Sequence, residues 1–261
     1  MQYDYWLRVE SADEPFKELE WEAPERQDQR GRLAIIGGTK LGFAGVAGAF
    51  KEAAEMGAGS VQTVMPDVLK PILGRGNDDI LFAASNPSGA FSQKAEPELK
   101  AATAWADMLL LPGDNGRNSE TAIALEHILQ SLSTPATITR DAVDLLKADP
   151  ALLIERERNV LVLSFAQLQK LLRSVYFPRG IVFSMHLSQL VETLHKVTLS
   201  YPAMIVTFHA EQLLVAHDGR VATIPFDNPM LIWRGSTATK VAVKVMQRPG
   251  KPFEAAVRAA L

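Results

Sequence analysis

A glycine-rich turn that joins an apolar run to a helical segment constrains this chain more than any other feature. Residues 33–36 predict a buried strand, and the turn at 37–45 carries four glycines. Residues 46–56 predict a helix that is small and apolar on one face, and residues 60–65 predict the next strand. Strand, turn, helix and strand in this order form the βαβ unit of an open parallel sheet. The glycine spacing does not match G-x-G-x-x-G, so the turn is not a dinucleotide-binding fingerprint.

The same alternation continues to the end of the chain. Further strands are predicted at 80–83, 108–111, 136–139, 160–163 and 204–207, and helices at 66–73, 96–105, 118–132, 141–147, 164–172, 184–199, 236–247 and 252–260. Asn118 or Ser119 is expected to cap the first helix after residue 111, and Ser164 another. His217-Asp218-Gly219 separates two strand patterns and predicts an antiparallel hairpin at 212–224, on the edge of the parallel sheet. The pattern indicates one α/β domain over residues 31–261, preceded by an acidic arm at 1–30.

The arm is polar and acidic but contains large apolar residues, among them Trp6, Phe16, Leu19 and Trp21. Two alternatives stay open from the sequence: the arm docks on the main body through these residues, or it is a partly disordered extension.

Composition excludes several classes of function. The chain of 261 residues is 47% hydrophobic, which is enough for a full core, and its net charge of -3 gives no reason to expect nucleic acid or an anionic membrane as partner. It has no cysteine, so disulfides and thiolate chemistry are excluded. The start of the sequence lacks the pattern of a signal peptide, and no apolar run reaches the roughly 18–20 residues of a membrane helix. We therefore expect a cytoplasmic protein.

The stretch from Gly235 to Lys240 is the first candidate for a binding site. Gly235 permits a bend, and Ser236, Thr237 and Thr239 are each able to cap the helix that follows. Free N–H groups at a helix N-terminus, with Lys240 nearby, favour a phosphate or oxyanion. An ordinary capped helix explains the same residues, and both interpretations stay open.

Other chemistry is disfavoured. The five histidines are scattered, none pairs with a carboxylate at metal-ligand spacing, and surface positions are expected for His127 and His195. Neither a G-x-S-x-G elbow nor a Walker A motif is present. No metal site is predicted from the residues.

The turns that follow the predicted strands indicate a ligand site more strongly together than any one of them does alone. They span 37–45, 112–117, 139–141, 164–167 and 233–240. Because ligands bind at the carboxyl edge of an open α/β sheet, these turns are expected to meet along one cleft. The residues predicted to line it are Gly37, Gly38, Gly42, Gly45, Gly113, Gly116, Asp141 and Gly235.

The order of these turns resembles the ADP/ATP-dependent NAD(P)H-hydrate dehydratases of the ribokinase-like superfamily, over about residues 25–261. The most specific stretch is Gln29-Arg-Gly-Arg-Leu-Ala-Ile-Ile-Gly-Gly38, which continues through Gly42-Phe-Ala-Gly45 and Gly57-Ala-Gly-Ser60. Pro112-Gly-Asp-Asn-Gly-Arg117 is similar to the family's Gly-Pro-Gly-Leu-Gly-Arg, and Arg140-Asp141-Ala142 stands where Asp-Ala-Asp-Ala is expected. The C-terminal run that begins at Pro252 also fits.

The resemblance implies a ribokinase-like fold, with a central, mostly parallel sheet and helices on both faces. It implies an activity in nicotinamide nucleotide repair, the dehydration of the S epimer of hydrated NADH or NADPH with ADP or ATP. It also implies ADP or ATP and Mg²⁺ as cofactors, a nucleotide or NAD(P)H-like molecule as partner, and a homo-oligomer. By the same resemblance Gly235, Ser236, Thr237, Thr239 and Lys240 would bind the nucleotide or anion, and Gly37, Gly38, Gly42, Gly45, Gly113, Gly116 and Asp141 the substrate.

The departures from the family cluster at the anion hole. Gly235-Ser-Thr-Ala238 occupies the place of Gly-Ser/Thr-Gly-Asp, so Ala238 stands where the resemblance expects the catalytic Asp. Thr139 replaces the first Asp of Asp-Ala-Asp-Ala, Ser164-Phe-Ala-Gln replaces Thr-Pro-His-Pro-Gly-Glu, and Phe208-His209 replaces Lys-Gly.

Three functions stay open on these residues. The first is an active dehydratase in which other residues supply the missing roles. The second is a catalytically silent relative that binds a nucleotide or dinucleotide, or serves as a structural or regulatory partner. The third is a small-molecule kinase, which would need the same missing Asp.

Overall fold

The strands of the computed structural model form one twisted sheet. The structure describes residues 3–10, 14–22, 24–74 and 78–261. Within these ranges the strands are β1 (Trp6–Arg8), β2 (Arg32–Ile36), β3 (Ser60–Pro66), β4 (Ile80–Ala83), β5 (Met108–Leu111), β6 (Ala136–Thr139), β7 (Asn159–Leu163), β8 (Met204–His209), β9 (Gln212–His217) and β10 (Arg220–Pro225). Every strand predicted from the sequence is present, and β1 is an addition.

The sheet order is β1-β10-β9-β8-β7-β6-β5-β2-β3-β4. All neighbouring pairs are parallel except those of β9 with β8 and with β10. The predicted parallel sheet and antiparallel hairpin are therefore confirmed, with the three-residue β1 lying outside the hairpin. Asp218 and Gly219 both have positive φ, 48° and 71°, as a two-residue turn between twisted strands requires.

Helices cover both faces of the sheet. They are α1 (Glu18–Trp21), α2 (Ala44–Glu55), α3 (Lys70–Leu73), α4 (Glu96–Trp105), α5 (Ser119–Ser131), α6 (Asp141–Leu145), α7 (Pro150–Ile154), α8 (Phe165–Ser174), α9 (Leu187–Ser200), α10 (Met230–Arg234), α11 (Ser236–Gln247) and α12 (Pro252–Ala260). Single 3₁₀ turns lie at Gln27–Gln29, Asp67–Leu69, Gln93–Ala95 and Leu146–Ala148. None of the described helices is long and apolar enough to cross a membrane.

Two apolar cores result from this arrangement. Alternate residues of β2 point to opposite faces, so Ala34 and Ile36 pack with α4 to α9 while Leu33 and Ile35 pack with α2, α11 and α12. Because the central strands are buried on both faces, they read in the sequence as unbroken apolar runs.

The predicted caps after β5 and β7 are confirmed. The Asn118 side chain accepts a hydrogen bond of 2.8 Å from the backbone N–H of Glu120. Ser164 forms a capping box with Gln167, in which each side chain bonds the backbone of the other residue. The two caps fix the residues at which α5 and α8 begin. They therefore also fix where the loops that follow β5 and β7 end.

The described residues of the N-terminal segment dock on the body. The indole N–H of Trp6 donates to the Thr223 hydroxyl at 3.0 Å, Leu19 is buried, and Arg248 donates to the Leu19 carbonyl at 2.9 Å. Two acidic side chains pair with the C-terminal helices, Glu22 with Lys251 and Glu20 with Arg258. Residues 1–2, 11–13 and 23 lie outside the described residues.

Candidate functional site

The direction of the chain changes between β2 and β5. From β2 the chain proceeds through β3 to β4 on one side, and from β5 it proceeds to β8 on the other. The turn at 37–45 follows β2 and the turn at 112–117 follows β5, so they flank this switch point. The crevice at the carboxyl ends of such strands is where open α/β sheets bind ligands.

The two turns and the start of α6 are in close contact. A Cβ on Gly37 would lie 2.7 Å from the Gly113 carbonyl oxygen, and one on Gly113 would lie 2.8 Å from Oδ1 of Asp141. Gly113 also has φ of 102°, a conformation that glycine adopts without strain. Gly116 lies beside the Thr39 methyl group, and Gly235 beside Arg140 and the Pro112 carbonyl. The structure thus brings Gly37, Gly113, Gly116, Asp141 and Gly235 together.

Gly38 and Gly42 were also predicted to line the cleft, but they lie away from the contact between Gly37 and Gly113. Gly42 pairs with Thr39 in a small bridge of the 37–45 loop, and a Cβ there would meet open space. Gly38 has φ of 93° and packs against Phe43. Both shape the loop without contacting the turn at 112–117.

An ion pair that sequence reasoning missed spans the crevice. Oδ1 of Asp114 lies 2.9 Å from a guanidinium nitrogen of Arg140, and Oδ2 accepts a hydrogen bond of 2.5 Å from the backbone N–H of Gly45 in the first turn of α2. A second guanidinium nitrogen donates to the Pro112 carbonyl at 3.2 Å. A Cβ on Gly45 would overlap the ends of the Arg140 and Asp114 side chains, so the glycine leaves room for this ion pair in its present position.

The partly buried Asp141 and the fully buried Asn115 lie next to the two members of that ion pair in the sequence. Oδ2 of Asp141 accepts the backbone N–H groups of Asn115 and Gly116 at 2.9 and 3.1 Å. Burial raises the pKa of Asp141 above its ordinary value, although these two hydrogen bonds act in the opposite direction. Oδ1 of Asp141 and both polar side-chain atoms of Asn115, which is 0% exposed, have no hydrogen-bond partner among the described residues.

A cavity of about 420 Å³ opens beside Arg140. It lies above the ends of β6 and β7 and below α10, and Ser164, Gln167, Lys170 and Trp233 line it. Its volume is in the range of small-molecule sites. Gln167 fixes the wall, because its amide donates to the Arg140 carbonyl at 2.8 Å and to Asp144 at 3.0 Å.

The stretch at 235–240 differs from its prediction in one respect. Gly235, with φ of 85°, ends α10 and starts α11, as the predicted bend requires. None of the three hydroxyl side chains caps α11. Ser236 donates to Glu52 at 2.5 Å, Thr239 donates back to the Gly235 carbonyl, and Thr237 is buried. The capping prediction was wrong because the helix begins at Ser236, as predicted, so Gly235 holds the N-cap position and all three hydroxyl residues lie inside the helix.

Comparisons with solved structures agree with this architecture. A ribokinase-like superfamily protein from Enterococcus faecalis V583 superposes with a TM-score of 0.71 at 13% identity, over 100% of this chain and 88% of that one. An ADP/ATP-dependent NAD(P)H-hydrate dehydratase from Bacillus subtilis, co-crystallised with ATP and Mg²⁺, gives 0.56 at 13% identity, over 95% and 82%. A hydroxyethylthiazole kinase protein from Pyrococcus horikoshii OT3 gives 0.57 at 14% identity, over 89% and 77%. No protein-family model matches the sequence, and no curated protein matches it.

The chain has the ribokinase-like fold. At these identities the likeness shows the fold alone, and the predicted fold class is confirmed.

Those side chains depart from the dehydratase motifs in ways that the structure explains. Ala238 is 0% exposed in the first turn of α11, packed in the core rather than on the crevice. The Thr139 hydroxyl donates to the Val162 carbonyl at 2.8 Å, within the sheet. Nε2 of His209 lies 2.9 Å from the Met185 carbonyl oxygen, and the ring stacks on Phe165. Each departure therefore has a structural role.

His127 and His195 differ in their surroundings. His127 is exposed beside Glu96, whereas the ring of His195 is half-buried, stacked on Tyr5 with centroids 3.8 Å apart. The surface position predicted for His195 was therefore only partly right. Over the described ranges no group of three or more His, Cys, Asp or Glu side chains is placed to hold a metal ion. The part of the chain that the structure describes therefore offers no cluster of side chains that would hold Mg²⁺ without ligand atoms.

Proposed function

We propose that this ribokinase-like chain binds an adenine nucleotide at the switch-point crevice, as a dehydratase-type protein of nicotinamide nucleotide repair. The supporting observation is the convergence of the turns after β2, β5 and β6 around Arg140, next to a cavity large enough for a nucleoside. A guanidinium and the first-turn N–H groups of α2 suit phosphate oxygens. The Bacillus subtilis dehydratase with a similar fold was co-crystallised with ATP and Mg²⁺.

The cavity supplies the rest of the ligand surface in this proposal. Trp233, which is 60% exposed at its rim, offers an aromatic face to a base, and Lys170 offers a second positive charge. Gln167 and Ser164 offer hydrogen-bonding groups along one wall. We infer that the phosphates lie toward Arg140 and that the nucleoside lies toward Trp233.

Binding is tested by calorimetry and thermal shift with ADP, ATP, NADPH and hydrated NADPH. A ligand at 100 times its dissociation constant stabilises the fold by about 2.7 kcal/mol. The variant Trp233→Ala should weaken nucleotide binding about tenfold, by the loss of a stacking face. Trp21→Ala is the matched control, because Trp21 is 84% exposed on α1, at the opposite end of α11. Equal affinities in both variants would contradict the placement of the base.

A second candidate function is a catalytically silent relative, and one observation favours it. Ala238 has no carboxyl group, so it is unable to accept a proton where the resemblance expects the catalytic Asp. The loss of a general base typically costs about 10²–10⁴-fold in rate. We therefore expect little or no dehydration of the S hydrate of NADPH with either ADP or ATP.

Turnover distinguishes the two candidates. The wild-type chain is incubated with the S hydrate and each nucleotide, and formation of NADPH is followed by its absorbance. Rates typical of the dehydratases would refute the silent candidate, because another group would then supply the missing role. The homo-oligomer implied by the resemblance stays a prediction, to be checked by analytical ultracentrifugation.

A further inference from the structure

Asp114 and Arg140 depart from the dehydratase motifs together. Pro112-Gly-Asp-Asn-Gly-Arg117 has one residue more between its glycines than Gly-Pro-Gly-Leu-Gly-Arg, and Asp114 lies in that longer stretch. Arg140 follows Thr139, at the first Ala of Asp-Ala-Asp-Ala. The two side chains are 26 residues apart and form the ion pair of the crevice. Both residues also have positive φ, 61° and 55°.

The groups that hold the Asp114 carboxylate are the groups that hold phosphates in other proteins. One oxygen takes the Gly45 backbone N–H in the first turn of α2, a helix of 12 residues, and the other takes the Arg140 guanidinium. No side chain at the N-cap, Phe43, bonds the first turn. The Asp114 carboxylate is therefore an anion that belongs to the chain itself. It occupies the position where the helix dipole and the guanidinium would attract an external anion.

A second observation is that polar atoms without hydrogen-bond partners lie next to Asp114 in the sequence. Asn115 is fully buried next to Asp114, and neither its amide nitrogen nor its oxygen has a partner among the described residues. Its oxygen lies 3.4 Å from the position of a Cβ on Gly37, on the crevice wall. Buried amides without partners are rare in proteins, because each unmade hydrogen bond is costly. A bound ligand with acceptor oxygen atoms would supply a partner for the amide nitrogen, and a ligand hydroxyl would supply one for the amide oxygen.

We propose that the Gly45 N–H group and the Arg140 guanidinium form a phosphate site, and that Asp114 is its internal occupant, which a ligand phosphate displaces. This inference rests on the proposed nucleotide binding, and it identifies Asp114 as the group that regulates the affinity for the nucleotide. Arg140 also lines the 420 Å³ cavity, so a phosphate reaches it from that side. Asp114 lowers the affinity for anions because it occupies both donors and repels a second negative charge.

Asp114→Asn is the decisive variant. An asparagine tolerates the positive φ of this position and keeps an oxygen for the Gly45 N–H, so the turn is retained. It removes the negative charge that holds Arg140. Glu254→Gln is the matched control, because Glu254 pairs with Arg220 at 2.7 Å on the opposite edge of the sheet. Thermal melts verify that each variant is folded.

Two probes are titrated by calorimetry, tripolyphosphate and ATP. We expect Asp114→Asn to bind both at least tenfold more tightly than wild type, Glu254→Gln to match wild type, and Asp114→Asn/Arg140→Gln to lose the gain. Unchanged or weaker tripolyphosphate binding in folded Asp114→Asn overturns the inference. Tighter tripolyphosphate binding without any ATP binding supports the phosphate site but refutes the proposed nucleotide function.

Discussion

Ala238→Asp tests how far this crevice differs from that of a dehydratase. The variant restores the carboxyl group that the resemblance expects, at a position that is 0% exposed in the third residue of α11. A buried polar group without a partner costs about 1–3 kcal/mol in proteins, and a charged one costs more. An acidic side chain in the first turn of a helix recovers up to about 2 kcal/mol from the macrodipole.

The cost of burying the carboxylate exceeds the gain from the macrodipole, so we expect a net loss of stability of about 1–3 kcal/mol at pH 7. For a chain of this size the midpoint of thermal unfolding should then fall by about 2–12 °C, since each kcal/mol shifts it by roughly 2–4 °C. Burial raises the pKa of a carboxyl, so the loss should shrink as the pH falls and the introduced group becomes neutral.

Differential scanning calorimetry between pH 4 and 8 measures both effects, with Ala238→Asn as the uncharged control of similar size. Asparagine should cost less than aspartate at pH 8 and about the same at pH 4. If Ala238→Asp is as stable as wild type at pH 7, the introduced carboxylate must reach solvent or a donor such as Arg140. In that case position 238 faces the crevice, and the assignment of Ala238 to the core is refuted.

Two further predictions concern Asp141 and magnesium. Burial raises the pKa of Asp141 in the folded state, so this carboxyl contributes stability that is fully present below about pH 3.8 and is lost as the pH rises through the raised pKa; Asp141→Asn should therefore become more stable relative to wild type across that window. Arg32 lowers the pKa of Asp107, so Asp107→Asn should be less stable than wild type above about pH 3.8, and the difference should vanish as the pH falls through the lowered pKa. If the difference in stability between Asp141→Asn and wild type does not change with pH, the prediction for Asp141 is contradicted. We also expect the dissociation constant of ATP, measured by calorimetry in EDTA and in excess Mg²⁺, to change by less than about tenfold, and a greater change would show that the metal dominates binding.

Much of the fold is readable from the sequence because its signals are local. An apolar run such as 108–111, followed by a Pro-Gly turn and a capped helix, identifies a buried strand from neighbouring residues alone. The rule that parallel strands share a carboxyl edge then brings the turns at 37–45 and 112–117 together. The close approach of Gly37 to Gly113 agrees with that prediction.

The missed features depend on partners distant in sequence. The strand β1 is three residues long and is fixed by pairing with β10, more than 200 residues away. The short helix α10 has no periodic pattern of its own and was not predicted, although α11, which follows it, begins at Ser236 as predicted. The ion pair joins Asp114 and Arg140, which are 26 residues apart and both have positive φ, and an arginine at positive φ is not indicated by any local propensity.

The charges in the crevice explain why the departures belong together. Compared with the dehydratase motifs, the chain lacks carboxylates at Thr139 and Ala238 and gains the guanidinium of Arg140. Ala238 lies in the core and the Thr139 hydroxyl bonds within the sheet, so the charge of the crevice itself is set by Arg140 and by Asp114, which is bound directly to it. The Arg140 guanidinium attracts phosphate oxygens, and the Asp114 carboxylate repels them. Arg140 therefore favours the binding of anions in the crevice, and in the proposed phosphate site the Asp114 carboxylate sets how tightly they bind.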